Sequence, residues 1–171
     1  MNNIKKDFSK IYDQYIDKIY RFVFIKVNSQ EIAEDLTSET FLRGWKAFKS
    51  EKDIENPQAF LYQIARNLVT DHYREKGRTR LVSIDCVPIV DPRSSLEEKT
   101  QIESDLEIVK SALTNLNNDD YQNVVIWHYL EDLSITEIAK ITGKLEGSVR
   151  VTLHRALKAL KNEIGDNYQE V

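Results

Sequence analysis

The chain has 171 residues, 41% of them hydrophobic and 30% charged, which is ordinary for a globular protein. No apolar run is long enough to cross a membrane, and we expect neither a signal peptide nor membrane insertion. The single cysteine, Cys86, cannot form an internal disulfide, which is consistent with a reducing cytoplasm. The net charge of −4 argues against a protein that binds DNA tightly without a partner protein.

Three amphipathic helices are predicted in the first half of the chain, from about Ile4 to Val27, from about Ser29 to Phe48, and from Pro57 to near Gly77. Asn56 before Pro57 is a clear start signal for the third helix. Together they predict one compact bundle of about eighty residues. The buried stripe predicted for the first helix consists of Phe8, Ile11, Tyr12, Tyr15, Ile19, Phe22, Val23 and Val27.

Helical periodicity fails between Gly77 and Ser94, a stretch with two prolines and several small polar residues, so we predict an interdomain linker there. A capping box formed by Ser95 and Glu98 then opens a helix that runs to about Leu116. A further helix is predicted to open within 117–120, followed by a helix-turn-helix. The fold class predicted is therefore all-α, with two small helical domains joined by a flexible linker.

The helix-turn-helix is predicted from Ser134 onward. Ser134 and Glu137 form a capping box for the first helix, and Gly143 supplies its stop. The second helix has one apolar face and one face of small, polar and basic residues, which is what a helix needs to enter a major groove. An ordinary helical hairpin with a solvated basic face is the alternative. The groove-facing candidates are Ser148, Arg150, Val151, His154, Arg155 and Lys158.

Two further surfaces are candidates for binding. An acidic face on the second helix, followed by exposed Leu42, suits a basic protein partner, although such faces are often merely solvated. The segment 56–80 places basic residues next to aromatic ones, which can hold phosphates and stack on unpaired bases. A core helix with a basic tail is equally consistent with its composition. Asn67 in this segment can donate to and accept from a base edge.

No catalytic constellation is recognisable in the sequence. The three histidines are far apart and lack partners at metal-ligand spacing, and no glycine-rich phosphate loop occurs. Cys86 has no nucleophile signature. We therefore expect no enzyme, no metal and no cofactor.

Four motifs in this order resemble the extracytoplasmic-function (ECF) group of bacterial RNA polymerase sigma factors, in the sigma-70 family. They are EIAEDLTSETFLRGWKAF, NPQAFLYQIARNLVTDHYR, LNNDDYQNVVIWHYLEDLSITEIAKITG and LEGSVRVTLHRALKALK. The resemblance covers nearly the whole chain. It implies a region 2-like domain at 1–78, a linker at 79–95 and a region 4-like domain at 96–171.

The resemblance also implies a role for each candidate surface. Polymerase docking, on the clamp helices of the largest subunit, would use Glu34, Asp35, Glu39 and Leu42. Recognition and melting of the minus-ten element would use Lys49, Lys52, Asn56, Arg66, Asn67 and Arg74. The minus-thirty-five element would be read by Ser148, Arg150, Val151, His154, Arg155 and Lys158.

The expected partners are core RNA polymerase, through its clamp helices and flap, promoter DNA, and a cognate anti-sigma factor of a kind that can be membrane-anchored. The resemblance implies a cytoplasmic transcription initiation factor for a stress or envelope-response regulon. Two departures from the family pattern stand out: Leu145 replaces the polar cap before the recognition helix, and the loop 49–56 has no aromatic residue for a flipped base. The alternatives are a self-sufficient helix-turn-helix regulator and a helical protein-interaction adaptor.

Overall fold

A computed structural model describes residues 2–50, 54–76, 93 and 95–169, and within these ranges the chain is helical without any strand. The all-α prediction is confirmed. The predicted linker at 79–95 lies outside the described residues except for Arg93 and Ser95. The helices are α1 (Asn2–Val27), α2 (Gln30–Lys49), α3 (Pro57–Lys76), α4 (Leu96–Asn115), α5 (Asp119–Val125), which continues as a π-helical turn (Ile126–Leu130), α6 (Ile135–Thr142) and α7 (Glu146–Gln169).

The first three helices pack against one another as a bundle. Ser29 caps α2 by accepting a hydrogen bond from the Ile32 amide at 3.4 Å, and Asn56 caps α3 by accepting one from the Ala59 amide at 2.8 Å. Both caps satisfy amides that have no partner within the helix. Gly44 lets α2 approach α3 closely, since an added Cβ would lie 2.9 Å from a methyl group of Leu61.

The predicted buried stripe of α1 is wrong at Tyr12, whose side chain is 43% exposed. Its ring makes a T-shaped contact with that of Phe41, at a centroid distance of 4.9 Å. At the other end of α1, the charged Lys26 lies outside the predicted buried stripe, yet it is only 2% exposed. Hydrophobic periodicity assigns charged residues to solvent, so it could not identify a buried lysine that has found partners.

The second domain is built around α7, which packs against α4, α5 and α6. The predicted capping boxes are present at the starts of α4 and α6, and in the latter the Ser134 hydroxyl accepts from the Glu137 amide at 3.1 Å. Gly143 ends α6 with a φ of 67°, a left-handed conformation that favours glycine. These features confirm the helix-turn-helix.

The two domains also pack against each other, and buried residues from both belong to one continuous hydrophobic cluster. The ring of Trp127, in the π-helical turn, lies 5.4 Å from that of Phe22 in α1 and 6.3 Å from that of Tyr62 in α3. Helix α3 also contacts α6 of the helix-turn-helix, where the Gln63 amide donates to the Lys140 carbonyl at 3.2 Å. The sequence did not predict this contact between domains.

None of the helices described is both long enough and apolar enough to span a membrane. A search of the same residues for three or more clustered histidine, cysteine, aspartate or glutamate side chains finds no candidate metal site.

Candidate protein-binding and nucleic-acid surfaces

The acidic residues predicted to dock on polymerase lie on the face of α2 that points away from the bundle. Glu34 and Asp35 are exposed, and Leu42 is 46% exposed on the same helix. Glu39 is partly exposed and forms an ion pair with Arg43, with 2.6 Å between Oε1 and Nε. The opposite side of α2 packs on α1 and α3. This face, which we call the acidic ridge, is therefore available to a partner.

Tyr12 is an exposed aromatic residue of α1 that contacts α2. Its ring meets the edge of Phe41, the residue that precedes Leu42 in α2. Tyrosine is among the residue types enriched at protein interfaces. Sequence reasoning missed the exposure of Tyr12 because helical spacing assigned it to the core.

An open cavity of about 560 Å³ lies where the loop before α3 meets that helix. Asn56, one of the predicted minus-ten residues, belongs to its wall. Lys49 is exposed at the end of α2, and Lys52 lies outside the described residues. The loop has no aromatic side chain, but Phe60, in the first turn of α3, contributes one to the wall of the cavity. The residues lining the cavity are Ile54, Glu55, Asn56, Ala59, Phe60, Gln63 and Lys140.

The remaining minus-ten candidates continue from this cavity along α3. Asn67 and Arg74 are exposed, and together with Gln63 they follow one face of the helix at spacings of four and seven residues. Arg74 is only loosely held, with 3.8 Å to Asp71 and a side chain that is 77% exposed. Arg66 is partly buried and lies to one side of this stripe. The structure thus connects an aromatic-lined cavity to an amide and a guanidinium along one surface.

The recognition face of α7 is exposed as predicted. Val149, Leu153 and Ala156 are buried beneath it. The six candidates on the exposed face are Ser148, Arg150, Val151, His154, Arg155 and Lys158. Among them, Arg150 places a guanidinium near the start of the helix, and Arg155 places a second one more than a turn later.

The start of α7 has no side-chain cap from Leu145 and is stabilised instead by contacts of Glu146, its first residue. Leu145 is 81% exposed and provides no side-chain cap, whereas Glu146 accepts a hydrogen bond from the Thr136 hydroxyl at 2.8 Å and pairs with Arg150 at 3.1 Å. The Thr136 hydrogen bond and, after it, the contact with Arg150 hold the pKa of the Glu146 carboxyl below its usual range. A carboxylate at a helix N-terminus is favourable, and here it also orients Arg150.

Two family models match the chain in the order expected from its motifs. Sigma-70 region 2 matches residues 11–79, and Sigma-70 region 4 matches residues 109–160. The acidic ridge, the cavity-lining residues of the first domain and the stripe on α3 lie within the first match. The recognition face of α7 lies within the second.

The curated relatives are also sigma factors. The ECF RNA polymerase sigma factor BldN of Streptomyces coelicolor is 32% identical over 162 residues, which are 94% of this chain and 61% of BldN. The ECF RNA polymerase sigma factor SigW of Bacillus subtilis is 28% identical over 171 residues, covering 93% of this chain and 89% of SigW. This chain thus spans less than two thirds of BldN but most of SigW.

Among solved structures, the sigma factor RpoE of Bartonella quintana, in complex with the anti-sigma factor NepR, superimposes with a TM-score of 0.66. It is 25% identical, and the alignment covers 94% of this chain and 98% of RpoE. Both sigma-70 regions are thus matched in order, and similarity to ECF sigma factors extends along nearly the whole chain. The chain therefore belongs to the extracytoplasmic-function group of the sigma-70 family.

Proposed function

We propose that this chain is a transcription initiation factor that binds core RNA polymerase, directs it to specific promoters and traps unpaired promoter bases, in a stress or envelope-response regulon. The observation that carries the proposal is the exposure of two faces, one on each sigma-70 region, whose amide and guanidinium groups suit contacts with nucleic acid. The factor has no catalytic chemistry of its own. It works where its polymerase works, in the cytoplasm.

Polymerase docking is assigned to the acidic ridge of α2. Carboxylates of Glu34, Asp35 and Glu39 would meet basic residues on the clamp helices, while Leu42 would supply apolar contact. A partner can bind the acidic ridge without disturbing the bundle, because the opposite side of α2 packs on α1 and α3. The second domain would make the further contact with the flap.

The minus-ten element is assigned to the cavity and to the stripe on α3. A base swung out of the duplex needs a concave site with an aromatic or polar lining, and Phe60 and Asn56 provide both. Asn67 can then pair with a base edge, while Arg74 and Lys49 hold backbone phosphates. These contacts require unpaired bases, so they form only as the promoter opens.

The minus-thirty-five element is assigned to the exposed face of α7, in the major groove of intact duplex. Arg150 and Arg155 can each bind the O6 and N7 atoms of a guanine, and Lys158 can contact phosphate. Val151 can contact a thymine methyl group. The net charge of −4 implies that polymerase supplies most of the electrostatic attraction to the DNA phosphates.

We also propose a cognate anti-sigma factor as a partner, of a kind that can be membrane-anchored. The solved complex of RpoE with its anti-sigma factor NepR supports this, because that sigma factor aligns over nearly the full length of the present chain.

Transcription in vitro with purified core polymerase on a panel of promoters tests the proposal. We expect promoter-specific transcripts only when the chain and core polymerase are both present. The chain alone should not shift promoter duplex at nanomolar concentration near physiological salt. A specific shift by the free chain, with no effect on polymerase, would instead support a self-sufficient regulator.

A further inference from the structure

Arg150, the first of the two arginines on the recognition face of α7, is held by other side chains of its own domain. Its Nη2 atom donates to Oε2 of Glu146 at 3.1 Å, across one turn of the helix. The other oxygen of the same carboxylate, Oε1, accepts from the Thr136 hydroxyl at 2.8 Å. Two hydrogen bonds in series therefore join α6 to the arginine, with Glu146 between them.

This arrangement differs from an ordinary ion pair on a helix surface. Such pairs are weak, because two long exposed side chains must give up rotational freedom to meet. Here the carboxylate of Glu146 is held by Thr136 from a second helix, and α6 is itself packed against α7. The hydrogen bond from Thr136 and, after it, the contact with Arg150 lower the pKa of Glu146. The carboxyl is therefore ionised near neutral pH and accepts from both partners.

The contact with Glu146 restricts how Arg150 can meet DNA. An arginine that moves freely in solvent can donate to phosphates and to base edges alike. The guanidinium has five N–H groups, and the bond to Glu146 uses Nη2 alone. Enough donors remain to bind both O6 and N7 of a guanine. A guanidinium that is already held in one place fits fewer positions, so we expect it to discriminate more strictly between bases.

The charge of Glu146 acts in the same direction. Helix α7 begins at Glu146, and the N-terminal end of a helix ordinarily attracts phosphate. A carboxylate at that end repels phosphate, so contact between Arg150 and the DNA backbone would bring like charges together. The acceptors on a guanine edge are uncharged. Glu146 should therefore disfavour backbone contacts of Arg150 more than base contacts.

Arg155 provides a comparison within the same helix. It is exposed on α7, nine residues after Glu146. Nine residues span about 14 Å along a helix axis, which is beyond the reach of the Glu146 carboxylate. The two arginines should therefore differ, since Glu146 and Thr136 can hold Arg150 but cannot hold Arg155.

We propose that Thr136 and Glu146 are positioning residues that set the base preference of Arg150 in the minus-thirty-five element. Glu146 holds the guanidinium near the start of α7 and keeps phosphate away from it, and Thr136 fixes the carboxylate. The proposal rests on the function proposed above, because it requires α7 in the major groove of the upstream element. It adds two residues, one of them outside the recognition helix, to those that determine which promoter is read.

The test measures base preference with the full chain bound to core polymerase. Closed complexes are titrated on promoter duplexes that carry each of the four bases at each position of the upstream element. Arg150→Ala and Arg155→Ala identify the position that each arginine reads, because each should lose about tenfold in preference for guanine at that position.

Variants of Thr136 and Glu146 should change only the position read by Arg150. Thr136→Val removes the hydroxyl and keeps the shape of the side chain, and Glu146→Gln removes the charge. Each should lower the preference for guanine by about threefold, as expected for one exposed hydrogen bond. The conservative Thr136→Ser should retain the preference. Thr100→Val, which removes an exposed hydroxyl from α4, is the matched control.

Two further readouts distinguish positioning from a purely structural role. Glu146→Gln should bind the duplexes that lack this guanine more tightly than the native chain does, because Arg150 is then free to contact phosphate. A destabilised α7 would instead weaken binding to every duplex. In an Arg150→Ala background, Thr136→Val should have no further effect on base preference, because the residue through which it acts is absent.

The outcomes separate this proposal from the function on which it rests. The positioning role is overturned if Thr136→Val and Glu146→Gln keep the native base preference, or if they lose it equally at the positions read by Arg150 and Arg155. It is also overturned if Thr136→Val still alters base preference in the Arg150→Ala background. If the native chain forms no promoter complex with core polymerase, the proposed function itself is refuted, and the positioning role fails with it.

Discussion

Reversing the charge of Asp35 tests the proposed polymerase surface with little risk to the fold. Asp35 is exposed on α2, whereas the packed side of the helix carries buried residues such as Ala33 and Phe41. Asp35→Arg therefore changes the acidic ridge without creating a cavity or burying a charge. We expect it to weaken binding to core polymerase by more than tenfold.

The expected loss of polymerase affinity in Asp35→Arg can be estimated from the exposure of Asp35. Two unit charges 4 Å apart attract by about 1 kcal/mol at the dielectric constant of water, and by more as water is excluded. Reversal removes one such attraction and adds one repulsion, a change of at least about 2 kcal/mol. Since 1.4 kcal/mol is a factor of ten in affinity, the loss should exceed tenfold at low salt and shrink as salt screens the contact.

Fluorescence titration of labelled chain with core polymerase, at two salt concentrations, measures this effect. Asp17→Arg is the control, because Asp17 is an exposed acid on α1 of the same domain and its substitution changes the net charge equally. A nonspecific charge effect would weaken polymerase binding equally in the two variants. Unchanged affinity of Asp35→Arg, with native circular dichroism, would refute the assignment of the acidic ridge.

Other predictions concern the nucleic-acid surfaces. Arg150→Ala should weaken closed-complex formation and alter preference in the upstream element by about 1–3 kcal/mol, seen by footprinting. Asn67→Ala should spare that footprint but reduce permanganate reactivity of unpaired thymines, a defect that a pre-melted template should relieve; the reverse assignment of defects would contradict the division of labour. Thr136→Val should raise the pKa of Glu146 towards its ordinary 4.5, measured by carboxyl NMR titration. Because that pKa is lowered by folding, the stabilisation it brings is present above 4.5 and is lost as the pH falls through the lowered value, and this loss should be smaller in the variant.

Local features of the fold were predictable because their causes lie within a few residues. The caps at Asn56, Ser95 and Ser134 require only a side-chain oxygen and an amide about three positions later. Gly143 ends α6 for an equally local reason. The exposed recognition face of α7 follows from periodicity alone. What each exposed face binds stays a prediction, since burial does not identify a partner.

The cavity was only partly predictable. The family resemblance implied base capture by the loop 49–56, and the lack of an aromatic residue there left the capturing group unidentified. The structure shows that Phe60 reaches the same cavity from the first turn of α3, four residues beyond Asn56. In the sequence Phe60 belongs both to an apolar stripe and to the aromatic residues that lie beside basic ones in segment 56–80. Its position in the cavity wall depends on how the loop meets the helix.

The contact between domains was beyond sequence reasoning for a different physical cause. Lys26 and Glu131 are charged, and a periodicity argument places charges in solvent, yet each is buried against a partner about a hundred residues away. Burying a charge is costly unless such a partner is already in place. Neither charge alone therefore signals the contact, which becomes readable only from the pairs that folding brings together.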